Sequence, residues 1–263
     1  MRLPIYQVDA FADVVFAGNP AAVVPLDSWL PDGTLQAIAM ENNLAETAFV
    51  VRQGDGYALR WFTPTVEVDL CGHATLATAF VIATILEPGR GRIGFSTREA
   101  GVLTVTRDGD LYTLDFPSRP AEPLADAPAG LLAALGGPAP VALLKARDVV
   151  AVYEDEAAVR ALAPDMGALA TIEGFAVSVT APGRDGVDFV SRFFAPSQGI
   201  PEDPVTGSAH CTLIPYWAAR LGKDRLAARQ VSARGGSLAC ELAGDRVRIG
   251  GRAVLFLEGV IHV

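Results

Sequence analysis

The sequence predicts an α+β fold made of two similar halves of mostly antiparallel strands. Two observations carry this prediction. The first is an internal repeat: Arg60-Trp-Phe-Thr-Pro-Thr65 returns as Arg192-Phe-Phe-Ala-Pro-Ser197, 132 positions later in a chain of 263. Beyond each copy stand an acid and then small residues that open a helix, Asp69 before Cys71-Gly-His-Ala74 and Asp203 before Thr206-Gly-Ser-Ala209. The second is that short β-forming runs outnumber helical ones and are joined by short turns, which argues against a doubly wound parallel sheet.

In chain order, Leu3 to Phe11 alternates as a strand does, and Phe16-Ala-Gly-Asn-Pro20 reads as a turn. Ala21 to Leu26 is a second strand. Leu35 to Asn42 has helical spacing and stops at two asparagines. Glu46 to Val51 and Tyr57 to Thr63 are strands, a helix starts near Gly72, and Asp108-Gly109 marks a hairpin among the strands that follow. Pro117 to Gly130, dominated by Pro and Ala, reads as the linker between an N-terminal domain, 1–117, and a C-terminal one, 118–263. The last strand is the one piece expected to cross back. In the second half, strands are expected near Val141 to Leu144, Val149 to Tyr153, Phe175 to Val179 and Val187 to Phe194, and helices over Glu156 to Ala170. A helix starts near Gly207, and at least three strands run on to Val263.

Composition narrows the function classes. Hydrophobic residues make up 51% and charged ones 19%, enough for a folded core. A net charge of −9 repels phosphate backbones and anionic lipid, so neither nucleic acid nor membrane is an expected partner. Three cysteines form no disulfide framework, which points to reduced thiols and a cytoplasmic protein. No signal peptide is read at Met1 to Phe11. The longest uncharged apolar run, Ala74 to Leu86, is 13 residues, short of the roughly 18 a spanning helix needs, and reads as a buried core helix.

Chemistry concentrates at the two helix starts. Gly72-His73 and Gly207-Ser208 put small residues where a helix offers free N–H groups and the positive end of its dipole, a setting that binds a carboxylate. Ordinary capping explains the same residues. With the halves related by symmetry, the two starts would face each other across a cleft. Glu46 opens an apolar strand and shares a face with Ala48 and Val50. Carboxyls in apolar surroundings hold a proton more tightly, which suits a group that takes and gives one, although a solvated strand end explains it too. Cys71 precedes Gly72, where a helix start favours the thiolate. His73, His210, Cys71 and Cys211 lack metal-ligand spacing, so no metal is expected. Gly89-Arg-Gly91-Arg-Ile-Gly94 matches a dinucleotide fingerprint by letter only, because it follows a helix and opens a strand.

Five motifs in order, Val8-Asp-Ala-Phe11, Phe16-Ala-Gly-Asn-Pro-Ala-Ala-Val23, Asn43-Leu-Ala-Glu-Thr47, Asp69-Leu-Cys-Gly-His-Ala-Thr75 and Asp203-Pro-Val-Thr-Gly-Ser-Ala-His210, resemble the PhzF-like, phenazine-biosynthesis-type family. The resemblance implies a diaminopimelate-epimerase-like fold, in which each domain wraps antiparallel strands around a central helix, and a homodimer. It implies an acid/base glutamate at Glu46, and substrate contacts at Gly72, His73, Asp203, Gly207 and Ser208. The reaction it implies is a proton shift between carbons of a small carboxylate-bearing substrate, with a cyclic amino acid as one candidate, and without cofactor. Two other readings stay open: an amino-acid epimerase or racemase using Cys71, and a protein that only binds a small anion. The epimerase reading wants two opposed thiols, and Thr206 stands where the second would be.

Overall fold

A computed structural model describes residues 1–172, 174 and 176–263. The chain divides into two compact units, Met1–Phe116 with Ile249–Val263, and Pro117–Arg248. The fold is α+β and strand-dominated.

The first unit runs β1 (Arg2–Ala10), β2 (Asn19–Leu26), α1 (Asp32–Asn42), β3 (Glu46–Gln53), β4 (Gly56–Phe62), β5 (Glu67–Val68), α2 (Gly72–Val81), β6 (Arg92–Ser96), β7 (Val102–Asp108) and β8 (Leu111–Pro117). The second holds β9 (Glu122–Pro123), α3 (Leu131–Leu135), β10 (Ala142–Lys145), β11 (Val149–Val152), α4 (Glu156–Ala161), α5 (Met166–Ala170), β12 (Val177–Pro182), β13 (Phe189–Ala195), β14 (Ile200–Asp203), α6 (Gly207–Leu221), β15 (Arg225–Gln230) and β16 (Gly236–Ala243). β17 (Arg246–Gly251) straddles the division, and β18 (Ala253–His262) belongs to the first unit.

Most pairings are antiparallel. The exceptions include β2 with β3 and β11 with β12. The first of these positions the candidate site. α1 returns the chain so that β2 and β3 start at the same edge, with Ala21 opposite Glu46. α1 stops where expected, because Asn43 takes a left-handed conformation and donates its N–H to the Ala39 carbonyl. Leu35, Ile38 and Ala39 of α1 bury against Ile5, Val24, Phe49 and Phe62. Burial of each large side chain contributes about 1.5–3 kcal/mol.

The run Ala74 to Leu86 forms a core helix. α2 packs against β1, β2, β3, β7 and β18, and its last turn relaxes into a π-helix at Ile82–Leu86. Ala and Gly let the strands come close. The buried threonines are not orphaned: Thr75 and Thr78 donate to the Cys71 and Ala74 carbonyls one turn back. Gly89 to Gly94 does lie after this helix and leads into β6, which is not the strand–turn–helix setting of a dinucleotide site.

Two expectations need revision. The 117–130 segment is not a bare connector, because Glu122 and Pro123 pair with Lys145 and Leu144 of β10. The strand expected from Phe175 starts at Val177, and Phe175 itself lies outside the described residues.

Candidate active site

Glu46 and His73 come together in the first unit. Glu46 opens β3 and His73 is the second residue of α2. Both are buried, and Glu46 Oε2 lies 3.1 Å from His73 Nε2. The two atoms are close but poorly aligned, and neither makes a well-formed hydrogen bond among the described residues. A carboxyl oxygen and a ring nitrogen therefore stand side by side in a buried setting, each with hydrogen-bonding capacity to spend on a third group.

The opposite edge of the ring is also occupied. His73 Nδ1 lies 3.1 Å from Asn19 Nδ2 and 3.5 Å from Cys71 Sγ. Asn19 is fully buried at the first position of β2, and sequence reading had placed it only in a turn. Gly18 makes that turn possible: its φ is +65°, and a Cβ there would collide with the Ala10 carbonyl oxygen. Asp9 braces it by accepting the Phe16 N–H at 2.8 Å.

Burial pushes the Cys71 thiol up to about 11, with the Glu46 charge adding to the rise, so the helix start does not produce a thiolate. Burial pulls the His73 pKa down, while Cys71 and Glu46 on its two edges push it up, and the net direction is upward. Glu46, Cys71 and His73 are the one cluster among the described residues with metal-ligand chemistry, their ligand atoms lying within 4.8 Å of one another. The ring argues against a shared ion. Cys71 approaches Nδ1 and Glu46 approaches Nε2, so an ion on either nitrogen would have the other ligand across the ring.

The second unit holds the other predicted residues. Thr206 caps α6 in an extended conformation, and Gly207 and Ser208 open the helix. Neither Cys71 nor Thr206 bonds the helix through its side chain, so both helix starts keep N–H groups free of a side-chain cap. Asp203 is buried and accepts the Thr206 hydroxyl, whereas its sequence counterpart Asp69 is exposed. Gln230 was not foreseen. Fully buried, it accepts the Thr206 N–H at 2.9 Å and donates to the Asp203 carbonyl at 2.7 Å. Arg147, also missed, donates to Ser208 Oγ at 3.4 Å while paired with Asp148. Neither lies near these motifs in sequence, so no local pattern announced them.

The chain is similar to known proteins over its whole length. Two isomerases of Pseudomonas aeruginosa, both described as uncharacterized, are 55% and 52% identical to the chain, with both chains covered in full. A crystal structure of a phenazine biosynthesis protein of the PhzF family from Enterococcus faecalis superposes with a TM-score of 0.96 at 50% identity, again over the whole of both chains. The protein is an isomerase. A family model described as phenazine biosynthesis-like protein matches residues 8–259, and the chain belongs to that family. No helix among the described residues is long and apolar enough to cross a membrane.

Proposed function

We propose that this isomerase moves a proton between two carbons of a small carboxylate-bearing substrate, with a cyclic amino acid as the candidate class, and that it needs no cofactor. The observation that carries the reading is the buried pair of Glu46 Oε2 and His73 Nε2, 3.1 Å apart and poorly aligned with each other. A base beside a hydrogen-bond donor matches a carbon acid whose neighbouring heteroatom gains electron density as the proton leaves. Glu46 takes the proton as the C–H bond breaks. The electron pair spreads into the adjacent unsaturated system, and the carboxyl returns the same proton to a second carbon. Gly72 opens α2, and the N–H groups of that first turn receive the substrate carboxylate. We extend the proposal to Asp203, Gly207 and Ser208 as substrate contacts, on the resemblance that implies them.

An epimerase acting through Cys71 needs a thiolate, and burial holds this thiol protonated to about pH 11. A panel of small cyclic and acyclic amino and hydroxy acids, incubated in D2O and followed by proton NMR, tests the proposal. At least one should take up deuterium. Glu46→Gln should slow that uptake by roughly 10²–10⁴-fold, with ligand affinity changed far less. Uptake at the wild-type rate in Glu46→Gln would remove Glu46 from the chemistry.

A further inference from the structure

The Phe16-Ala-Gly-Asn-Pro20 turn has no part in the reaction as described so far, yet much of the local structure serves to aim one side chain. Gly18 supplies the backbone conformation, Asp9 ties the Phe16 N–H, and Asn19 arrives fully buried with its amide nitrogen 3.1 Å from His73 Nδ1. Resting on the reading that Glu46 and His73 face the substrate, we propose that Asn19 is a positioning residue: its N–H donates to Nδ1, so that His73 is neutral and carries its single proton on Nε2, beside Glu46.

The chemistry follows from the ring's two nitrogens. A donor aimed at Nδ1 requires a lone pair there, which leaves Nε2 as the N–H. That N–H is what the substrate heteroatom needs as its C–H bond breaks. A neutral ring also places no positive charge 3.1 Å from the carboxyl that is to take the substrate's proton. The groups that could oppose this state are few. Glu46 from β3 and Cys71 at the start of α2 are the titratable side chains that act on the ring, and both favour a second proton. Asp9, from β1, is engaged by Phe16. Burial of the ring and the neutral amide from β2 are the restraints that keep the second proton off. Cys71 at 3.5 Å, a thiol, is a weaker neighbour on the same edge.

The imidazole nitrogens can be observed directly. The chain has three histidines, so a long-range proton–nitrogen correlation spectrum of uniformly labelled protein is readily assigned, with His73→Gln identifying the signal in question. At pH 7 the wild type should show a bare Nδ1 and a protonated Nε2. Asn19→Asp replaces the donor with a carboxylate and should protonate both nitrogens at the same pH. Asn19→Ala, the smaller change, should raise the pH at which His73 takes its second proton by roughly one unit. A wild-type ring with a proton on Nδ1 overturns the proposal. So does an unchanged tautomer and titration in the folded variants. The spectra need no turnover, so they stand apart from the Glu46 test: normal deuterium uptake by Glu46→Gln would sink the reaction and leave the tautomer result intact.

Discussion

His73 has a different partner on each ring edge, and this is where residue identity matters most. The thiol of Cys71 is one such partner, and burial removes the reactivity that its helix-start position suggested. On the proposed reaction the sulfur is only a small, weakly polar neighbour of the ring, which a hydroxyl can replace. Cys71→Ser should keep deuterium uptake within about tenfold of wild type, a barrier change near 1.4 kcal/mol. A loss of several hundredfold in the folded serine variant would instead show that the sulfur takes part in the chemistry. Glu46 and His73 were legible in the sequence because each sits in a compact motif at an element boundary. Asn19 was not. Its motif reads as turn chemistry, and nothing local says that its amide ends 3.1 Å from a histidine 54 positions away.

The two long helices of the chemistry-bearing motifs share a design and differ in what they bury. α2 holds threonines that bond back to their own carbonyls. α6 holds His210, whose ring is fully buried, donates Nδ1–H to the Thr206 carbonyl at 2.8 Å and packs 5.8 Å from Phe189. His210 lies beside a helix start in sequence, but its ring belongs to the core. Burial lowers its pKa to about 4, with the Thr206 carbonyl partly opposing. The sign of the consequence is fixed by which state binds protons. Between the ordinary value of 6.5 and about 4, the unfolded chain takes up a proton that the folded chain refuses. Stability present above pH 6.5 is therefore lost as the pH falls toward 4, by an amount on the order of 3 kcal/mol from this group. Urea unfolding at pH 7 and pH 5 should show the loss in wild type and a flatter dependence in His210→Gln. Equal pH dependence in the two proteins would place the acid sensitivity elsewhere.

Across the whole molecule the internal repeat extends from letters to contacts. Arg60 of β4 pairs with Glu67 through two hydrogen bonds of 2.7 Å, and Arg192 of β13 pairs with Glu202 through bonds of 2.7 and 3.0 Å. Each guanidinium also lies over the phenylalanine two residues on, Phe62 at 5.0 Å and Phe194 at 4.9 Å. Arg192 adds donors to the Val159 and Leu162 carbonyls, so it ties α4 to its strand. Both arginines are largely buried; removing Arg192 takes from the partly buried Glu202 its paired guanidinium, and removing Arg60 leaves Glu67 with only the more exposed Arg98. Arg60→Met and Arg192→Met should each lower stability by about 2 kcal/mol in urea unfolding at neutral pH. Losses under about 0.5 kcal/mol in both would mean that the repeated pair is ornamental to folding.

Sequence alone determined the fold class, most of the strands, both helix starts and the identity of Glu46 and His73 as residues to watch. These rest on short-range physics: side-chain period, turn chemistry and helix capping act within a few residues and leave their mark in local order. The repeat was legible for the same reason, since it compares one local pattern with another. Tertiary structure decided the rest. Asn19, Gln230 and Arg147 gained their roles only when distant segments met, through the packing of α2 against β2 in the first unit and of β15 and the 147–148 turn near the start of α6 in the second. At Cys71 two effects compete, because a helix start lowers a thiol's pKa while burial raises it. Which of the two wins depends on how many atoms surround the sulfur, and that number is set by the packing of the whole unit around α2.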